Sequence, residues 1–530
     1  METAAPGTDG GPSIAAGRPD PVTRLTPVEQ AFVAWLDLTS SREAVLAELK
    51  ANLQTAIEIE LATIPIYLFT YYSINRNNES GEAIGDAQLY ANKAGGVIMS
   101  VAVEEMLHMS LSSNILFAMG VAPKLYGKAP GQYPTPLPYH NPVGPPGPDG
   151  STAVLIPLEK LSFEQLWHFL QIEYPEQWDA LPQDRNWQTI GQFYSYIRCL
   201  LRTRFVTDAD FQVGAYANGI QPYNYSPNNV DTVYPAKGFD PWKPAPPAPK
   251  PGWADSAPGA AEVAQFPDDE DSHAGQSELL CVRSRQDAAD AIDTICDQGE
   301  GCPVPNVGPG PDDDPSKDEE SHYVKFLELQ AQFADYAGCS ELLPPDPPPP
   351  APIQPAVSQA DLIAAGLLCD FPDNPVNADY PDGYRAIAEF NSALFQYMLI
   401  MTETLYRVPP DRQKLFFNEG LHRSMIWVMD KYIRTIRGIP ILTGPYEGKV
   451  MAPTFENVDL GQPVDSFAGL TRFGKAAIDA ADIIAKANPN SDLSRSMGNV
   501  AYYIGVALTA TDGPAPMHLP DVGPYWSNAE

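Results

Sequence analysis

The strongest constraint on this fold is a pair of ionisable side chains on the apolar face of a long helical pattern. Residues 86–119 repeat apolar side chains such as Ile98 and Ile115 at helical spacing. Glu105 and His108 are three residues apart, so both project from this same face. Because an unpaired charge in an apolar interior is costly, the helix requires a counter-charge there. A metal ion is the natural candidate.

A second pair has the same spacing. Glu319 and His322 are followed by an apolar stripe that includes Phe326. An earlier helical pattern, residues 42–74, adds Glu60 on its apolar face. A di-metal carboxylate bundle uses one Glu from each of two helices and a Glu-x-x-His pair from each of the other two. Three of these four ligand sets are therefore present.

The fourth ligand is less sharply defined. Glu173 ends a short helical pattern at 162–174 and aligns with its apolar positions. On the next pattern, 187–206, the matching inward polar residue is Gln192, which is a poor metal ligand. Glu176 is a third option, although it follows a helix-ending proline. We assign Glu173 as the fourth carboxylate.

The donor set predicts the metal. Carboxylate oxygens with one imidazole per metal favour iron, with manganese as an alternative. We expect two ions, or one ion if Gln192 replaces a ligand. Tyr67, Tyr71, Gln192 and Tyr194 are candidates for lining a substrate pocket, and packing in the core is the alternative role for these aromatic rings.

The chain has 530 residues, which is more than one hydrophobic core usually organises, so we expect two domains. A proline tract indicates where they are separated. Alternating strand patterns are scarce, so we expect an all-α protein. Residues 1–41 are predicted to be a disordered or loosely packed N-terminal segment. A helical domain at 42–340 is interrupted by a long irregular insertion at about 207–314. A proline-rich linker at 341–355 leads to a second, C-terminal helical domain at 356–530.

The charge balance limits the partners. The chain has 67 acidic and 33 basic residues, a formal net charge of -34, which disfavours nucleic acid and anionic membrane surfaces. No apolar stretch is long enough to span a bilayer, and no secretory signal is readable at the N-terminus. Six dispersed cysteines favour a reducing compartment, with pairing of Cys296 and Cys302 left open. We expect a cytoplasmic protein.

Several stretches together resemble the ferritin-like family of iminophenyl-pyruvate dimer synthases, which includes the violacein and chromopyrrolic acid synthases. The matching stretches are LQTAIEIELATIPIYL (53–68), VEEMLHM (103–109), FLQIEYPE (169–176), TIGQFYSYI (189–197), DQGEG (297–301), DEESHYVKFLEL (318–329), AEFNSALFQYMLIMTETL (388–405) and APTFEN (452–457). The resemblance implies a ferritin-like four-helix bundle with metal ligands at Glu60, Glu105, His108, Glu173, Glu319 and His322. In this family a Glu is expected where Gln192 stands, which allows an altered activity.

The leading functional hypothesis is a non-haem iron oxidase or oxygenase of secondary metabolism. The resemblance implies an amino-acid-derived imine or a similar small molecule as substrate, while the residues do not identify catalytic groups beyond the ligands. A homo-oligomer or a biosynthetic partner enzyme would fit this role. The alternatives are a non-catalytic scaffold or interaction protein, and a protein of iron storage or detoxification.

Overall fold

Helices form almost all of the regular structure in the computed structural model. The structure describes residues 25–75, 85–141, 155–176, 179–211, 282–299, 321–334, 356–409, 416, 420–421, 424–508 and 519–526. Within these ranges, β-pairing is limited to isolated bridges and no strand is formed. The prediction of an all-α protein is confirmed.

Seven helices build the N-terminal part of the described chain. They are α1 (Pro27–Thr39), α2 (Arg42–Ser73), α3 (Asp86–Ala118), α4 (Phe163–Ile172), α5 (Ile190–Arg202), α6 (Arg285–Gln298) and α7 (His322–Ala331), with a 3-10 turn at Asp208–Phe211. The two longest helices, α2 and α3, pack against each other extensively. Helix α5 packs on α1 and α2, and α3 contacts both α6 and α7.

The other two sides of the bundle are built from pairs of short helices. Helix α4 packs on α7, and α5 packs on α6. Helix α6 ends next to Gly299, whose carbonyl accepts a 2.7 Å hydrogen bond from the backbone N–H of His322 at the start of α7. The end of one short helix therefore meets the start of the next. These interruptions place Glu173 at the C-terminal end of α4 and His322 in the first turn of α7.

Helix α1 lies within residues 1–41, which were predicted to be disordered or loosely packed and of which 1–24 lie outside the described residues. Thr26 and Glu29 form a capping box at its start. The Glu29 carboxylate accepts hydrogen bonds of 2.9 and 2.7 Å from the Arg198 guanidinium of α5, and both side chains are buried. This ion pair ties α1 to the bundle, and a partner so distant in sequence is invisible to local patterns.

The C-terminal part is also helical. Its elements are α8 (Gln359–Ala364), α9 (Tyr384–Leu405), a π-helix (Ser424–Met429), α10 (Asp430–Ile436), α11 (Ser466–Ala487) and α12 (Asp492–Leu508), with 3-10 turns at Asn377–Asp379, Pro463–Asp465 and Gly523–Tyr525. Helix α11 packs between α9 and α12.

The N-terminal and C-terminal helices share one hydrophobic core. Their buried apolar side chains form a single contiguous cluster. Polar contacts reinforce it: Tyr72 Oη donates to Asp430 at 3.2 Å, and Arg434 donates to Tyr71 Oη at 2.9 Å. The division into two domains stays a prediction, and its linker at 341–355 lies outside the described residues. Among the helices described, none combines the length and apolar character needed to cross a membrane.

Substitutions at two glycines would test the packing of the C-terminal helices. A Cβ atom at Gly469 in α11 would lie 2.1 Å from the carbonyl oxygen of Leu460, and a backbone atom cannot easily give way. We expect Gly469→Ala to lower the free energy of unfolding by about 1–3 kcal/mol, measured by chemical denaturation. The matched control is Gly498→Ala in α12, where a Cβ meets nothing within 4 Å. Higher helix propensity should make this control about 0.5–1 kcal/mol more stable. Equal effects of both changes would contradict the observed contact.

Candidate metal centre

Four helices bring five of the predicted ligands together. Glu60 comes from α2, Glu105 and His108 from α3, Glu173 from the end of α4 and His322 from the start of α7. All five side chains are buried. They form two groups that share Glu105: one adds Glu60 and His108, and the other adds Glu173 and His322. Within each group the ligand atoms lie within 4.8 Å of one another.

Both imidazoles direct Nδ1 toward the shared carboxylate. His108 Nδ1 lies 3.9 Å from Glu60 Oε2 and 3.9 Å from Glu105 Oε1. His322 Nδ1 lies 3.0 Å from Glu105 Oε1 and 3.5 Å from Glu173 Oε2. The ring centroids of the two histidines are 5.5 Å apart. The centre is therefore one cluster with two adjacent positions.

The remaining ring nitrogens face hydrogen-bond acceptors. His322 Nε2 lies 2.6 Å from Glu104 Oε2, and His108 Nε2 lies 3.0 Å from Gln298 Oε1. Since a carboxylate and an amide oxygen both accept, we assign the ring proton of each histidine to Nε2. This tautomer leaves the Nδ1 lone pair of each ring for a metal.

Hydroxyl groups hold one oxygen of each ligand carboxylate. Tyr194 Oη donates to Glu60 Oε1, and Tyr67 Oη donates to Glu173 Oε1. Thr63 Oγ1 donates to Oε2 of the shared carboxylate at 2.7 Å. In every case the other carboxylate oxygen faces a histidine. The hydroxyls thus orient the carboxylates that would bind a metal.

Glu104 forms a second layer behind His322. Its carboxylate accepts from Lys325 Nζ at 2.8 and 3.0 Å and from Ser100 Oγ at 2.7 Å. Burial alone would raise the pKa of Glu104, but Lys325 and His322 lower that pKa to about 2. The sequence analysis missed Glu104, Gln298 and Lys325. A usable signal was present for Lys325, which stands three residues after His322 on one helical face.

The pKa values show an excess of buried negative charge. Burial and the nearby Glu105 raise the pKa of both Glu60 and Glu173. Burial opposes ionisation of Glu105 as well, yet the nearby imidazole of His322 helps lower its pKa to about 2. Burial lowers the pKa of His108 to about 4, whereas neighbouring carboxylates outweigh burial and raise that of His322. Carboxylates crowded in this way are stabilised by a bound cation.

The residues present fit a metal pair. His322 Nδ1 is buried and, among the described residues, makes no hydrogen bond of acceptable geometry. A buried polar atom without a partner needs an explanation, and a metal ion would take up this lone pair. The donor set of three carboxylates and two imidazoles suits iron or manganese.

The other candidates lie elsewhere. Gln192, expected to face inward, instead caps the start of α5: its Oε1 accepts from the backbone N–H of Gln188 at 2.7 Å, and its amide donates to Leu181 at 3.2 Å. It reaches these groups because α5 begins only two residues before it. Tyr71 Oη accepts a hydrogen bond from Arg434, and its role in a pocket, like that of Gln192, stays a prediction. Glu319 lies outside the described residues.

Comparison with known proteins finds a family similar to the segments that hold this centre. Residues 53–236 and 258–331 match the model of the Ferritin-like family. These segments of the chain are similar to that family, and every described ligand falls within them. No curated protein matches the sequence.

One solved structure is also similar, a ferritin-like protein from Caulobacter vibrioides. The two share 19% sequence identity over 68% of this chain and 86% of that chain, with a TM-score of 0.35. A TM-score this low does not establish a common fold. The similarity to ferritin-like proteins rests instead on the family match and is consistent with the geometry of the centre.

The carboxylate of Glu105, shared by the two ligand groups, leads to a prediction about the number of bound ions. Glu105→Ala removes a ligand from both positions, so bound metal should fall from about two ions per chain to below about one. Glu173→Ala removes a ligand from one position and should leave about one ion. Elemental analysis after manganese(II) loading and desalting measures both. Glu58→Ala, two residues from Glu60 on the same helix but outside the cluster, should keep both ions. Equal losses for Glu105→Ala and Glu173→Ala would contradict a bridging role.

Proposed function

We propose that this protein is a non-haem di-iron oxidase or oxygenase acting on a small molecule, with manganese as an alternative metal. The observation that carries the proposal is Glu105 shared between two buried carboxylate and histidine groups. Glu60 and His108 would hold one ion, and Glu173 and His322 the other. Each position has three ligand residues among those described, which leaves coordination sites for other molecules.

The chemistry of a bound iron pair would be one-electron transfer and activation of dioxygen or peroxide. The chain's own residues prepare the site for it. The hydrogen bonds from Tyr67 and Tyr194 orient the two terminal carboxylates, and those to Glu104 and Gln298 orient the two imidazoles.

Aromatic side chains shield the centre from water. The ring of Tyr67 packs against Phe169 and Phe326 at centroid distances of 4.8 and 5.4 Å, and all three side chains are buried. In such a low-dielectric setting, the fixed hydrogen bonds to the ligands are stronger than they would be in water. This environment favours redox chemistry on a small molecule over exchange of ions with solvent.

The substrate class we propose is an amino-acid-derived imine of secondary metabolism. The support is the resemblance of the ligand-bearing stretches 53–68, 103–109 and 318–329 to the iminophenyl-pyruvate dimer synthases. A homo-oligomer or a partner enzyme that supplies the unstable imine would suit this chemistry.

Removing one imidazole tests the proposal. We expect His108→Ala to lower turnover of an imine, generated in the assay by an amino-acid oxidase, by at least about 100-fold because one ion loses its only described nitrogen ligand. Product formation and oxygen consumption measure the effect. Circular dichroism should show that the helices remain. His168→Ala in α4, an imidazole outside the cluster, should keep full activity.

The same variant separates an enzyme from a scaffold. In a scaffold, His108→Ala would mainly lower the melting temperature of the metal-loaded protein, because ligand binding stabilises the native state. A folded His108→Ala variant with unchanged turnover would overturn the enzymatic assignment of this centre.

A further inference from the structure

The two metal positions are closely matched in most respects. Each has one terminal glutamate with an oxygen held by a tyrosine, and each has one histidine that presents Nδ1. Both share the carboxylate of Glu105. Among the described residues, the clearest chemical difference between them is the group that accepts from the far nitrogen of each imidazole.

The group that accepts the hydrogen bond from His322 Nε2 is a carboxylate. Glu104 lies 2.6 Å from His322 Nε2, and Lys325 and Ser100 also donate to its carboxylate. The carboxylate of Glu104 is fully buried, and the Lys325 ammonium is its paired cation. The bond between imidazole and carboxylate is therefore charge-assisted, short and strong.

The acceptor behind His108 is neutral. Gln298, in the last turn of α6, places its amide oxygen 3.0 Å from His108 Nε2. An amide oxygen orients the ring as a carboxylate does, but it withdraws the Nε2 proton less strongly. The Nδ1 lone pair of His108 is consequently the poorer electron donor of the two.

We propose that the two positions are inequivalent, and that the position formed by Glu105, Glu173 and His322 binds a divalent metal more tightly and fills first. The inference rests on the proposed di-metal site. Outer-shell partners of metal-bound histidines typically change affinity by about 10–100-fold, which sets the expected gap between the two binding steps. The positive charge of Lys325 reduces the field of Glu104, so a gap near the lower end is expected.

Exchanging the two acceptors tests the proposal. Metal-free full-length protein is titrated with cobalt(II) by isothermal calorimetry. The wild type should bind two ions in steps separated by about 10-fold or more. Glu104→Gln should weaken the tight step and bring the two affinities together. The matched change Gln298→Glu should strengthen the weak step and leave the tight one in place.

Single-ligand variants assign the steps. His108→Ala should retain the tight step, and His322→Ala should retain only the weak one. Because Glu104→Gln leaves Lys325 without its buried carboxylate, the double variant Glu104→Gln/Lys325→Met is measured beside it, and circular dichroism checks that each variant is folded.

The outcomes separate this inference from the proposed function. Two equal steps in the wild type, or a Glu104→Gln change that weakens both steps alike, would overturn the ordering while leaving the di-metal site intact. A wild-type protein that binds no cobalt(II) would overturn both.

Discussion

Several carboxylates buried at one point govern this structure. Glu60, Glu104, Glu105 and Glu173 converge in an interior where isolated negative charge is strongly disfavoured. Histidines, Lys325 and tyrosine hydroxyls each compensate part of this charge. Glu105 is the pivot, because it belongs to both groups of ligands. Helices α2 and α3 pack against each other with Glu60 and Glu105 meeting at this point.

The interrupted helices follow from the same requirement. A continuous helix presents side chains only from its flank, whereas a helix end can bring a side chain and a backbone group to one place. Glu173 at the end of α4 and His322 at the start of α7 use such ends. The break before α7 begins where α6 ends, and Gln298 in the last turn of α6 is hydrogen-bonded to His108. One interruption therefore contributes both a ligand and the group that orients a second ligand.

Much of this centre could be predicted from the sequence, and the reason is periodicity. Glu60, Glu105 and His108 lie on helices long enough for an apolar stripe to reveal an acidic or imidazole side chain within it. The role of Glu104 was hidden because helical spacing identifies a face but not the distant side chain that meets it. The cap that Gln192 forms was not predicted because it depends on where α5 begins, and helix boundaries are harder to predict than helices.

The hydrogen bond between His322 and Gly299 has a consequence for how this chain can change over evolutionary time. Gly299 and His322 are held together by this bond and by the packing of α6 and α7 on α3. Loop-closure entropy grows only logarithmically, at about 0.6 kcal/mol for each doubling of length. Residues can therefore be gained or lost between these two anchors at little thermodynamic cost. The five described ligands lie outside residues 300–320, so such changes in length can leave them in place.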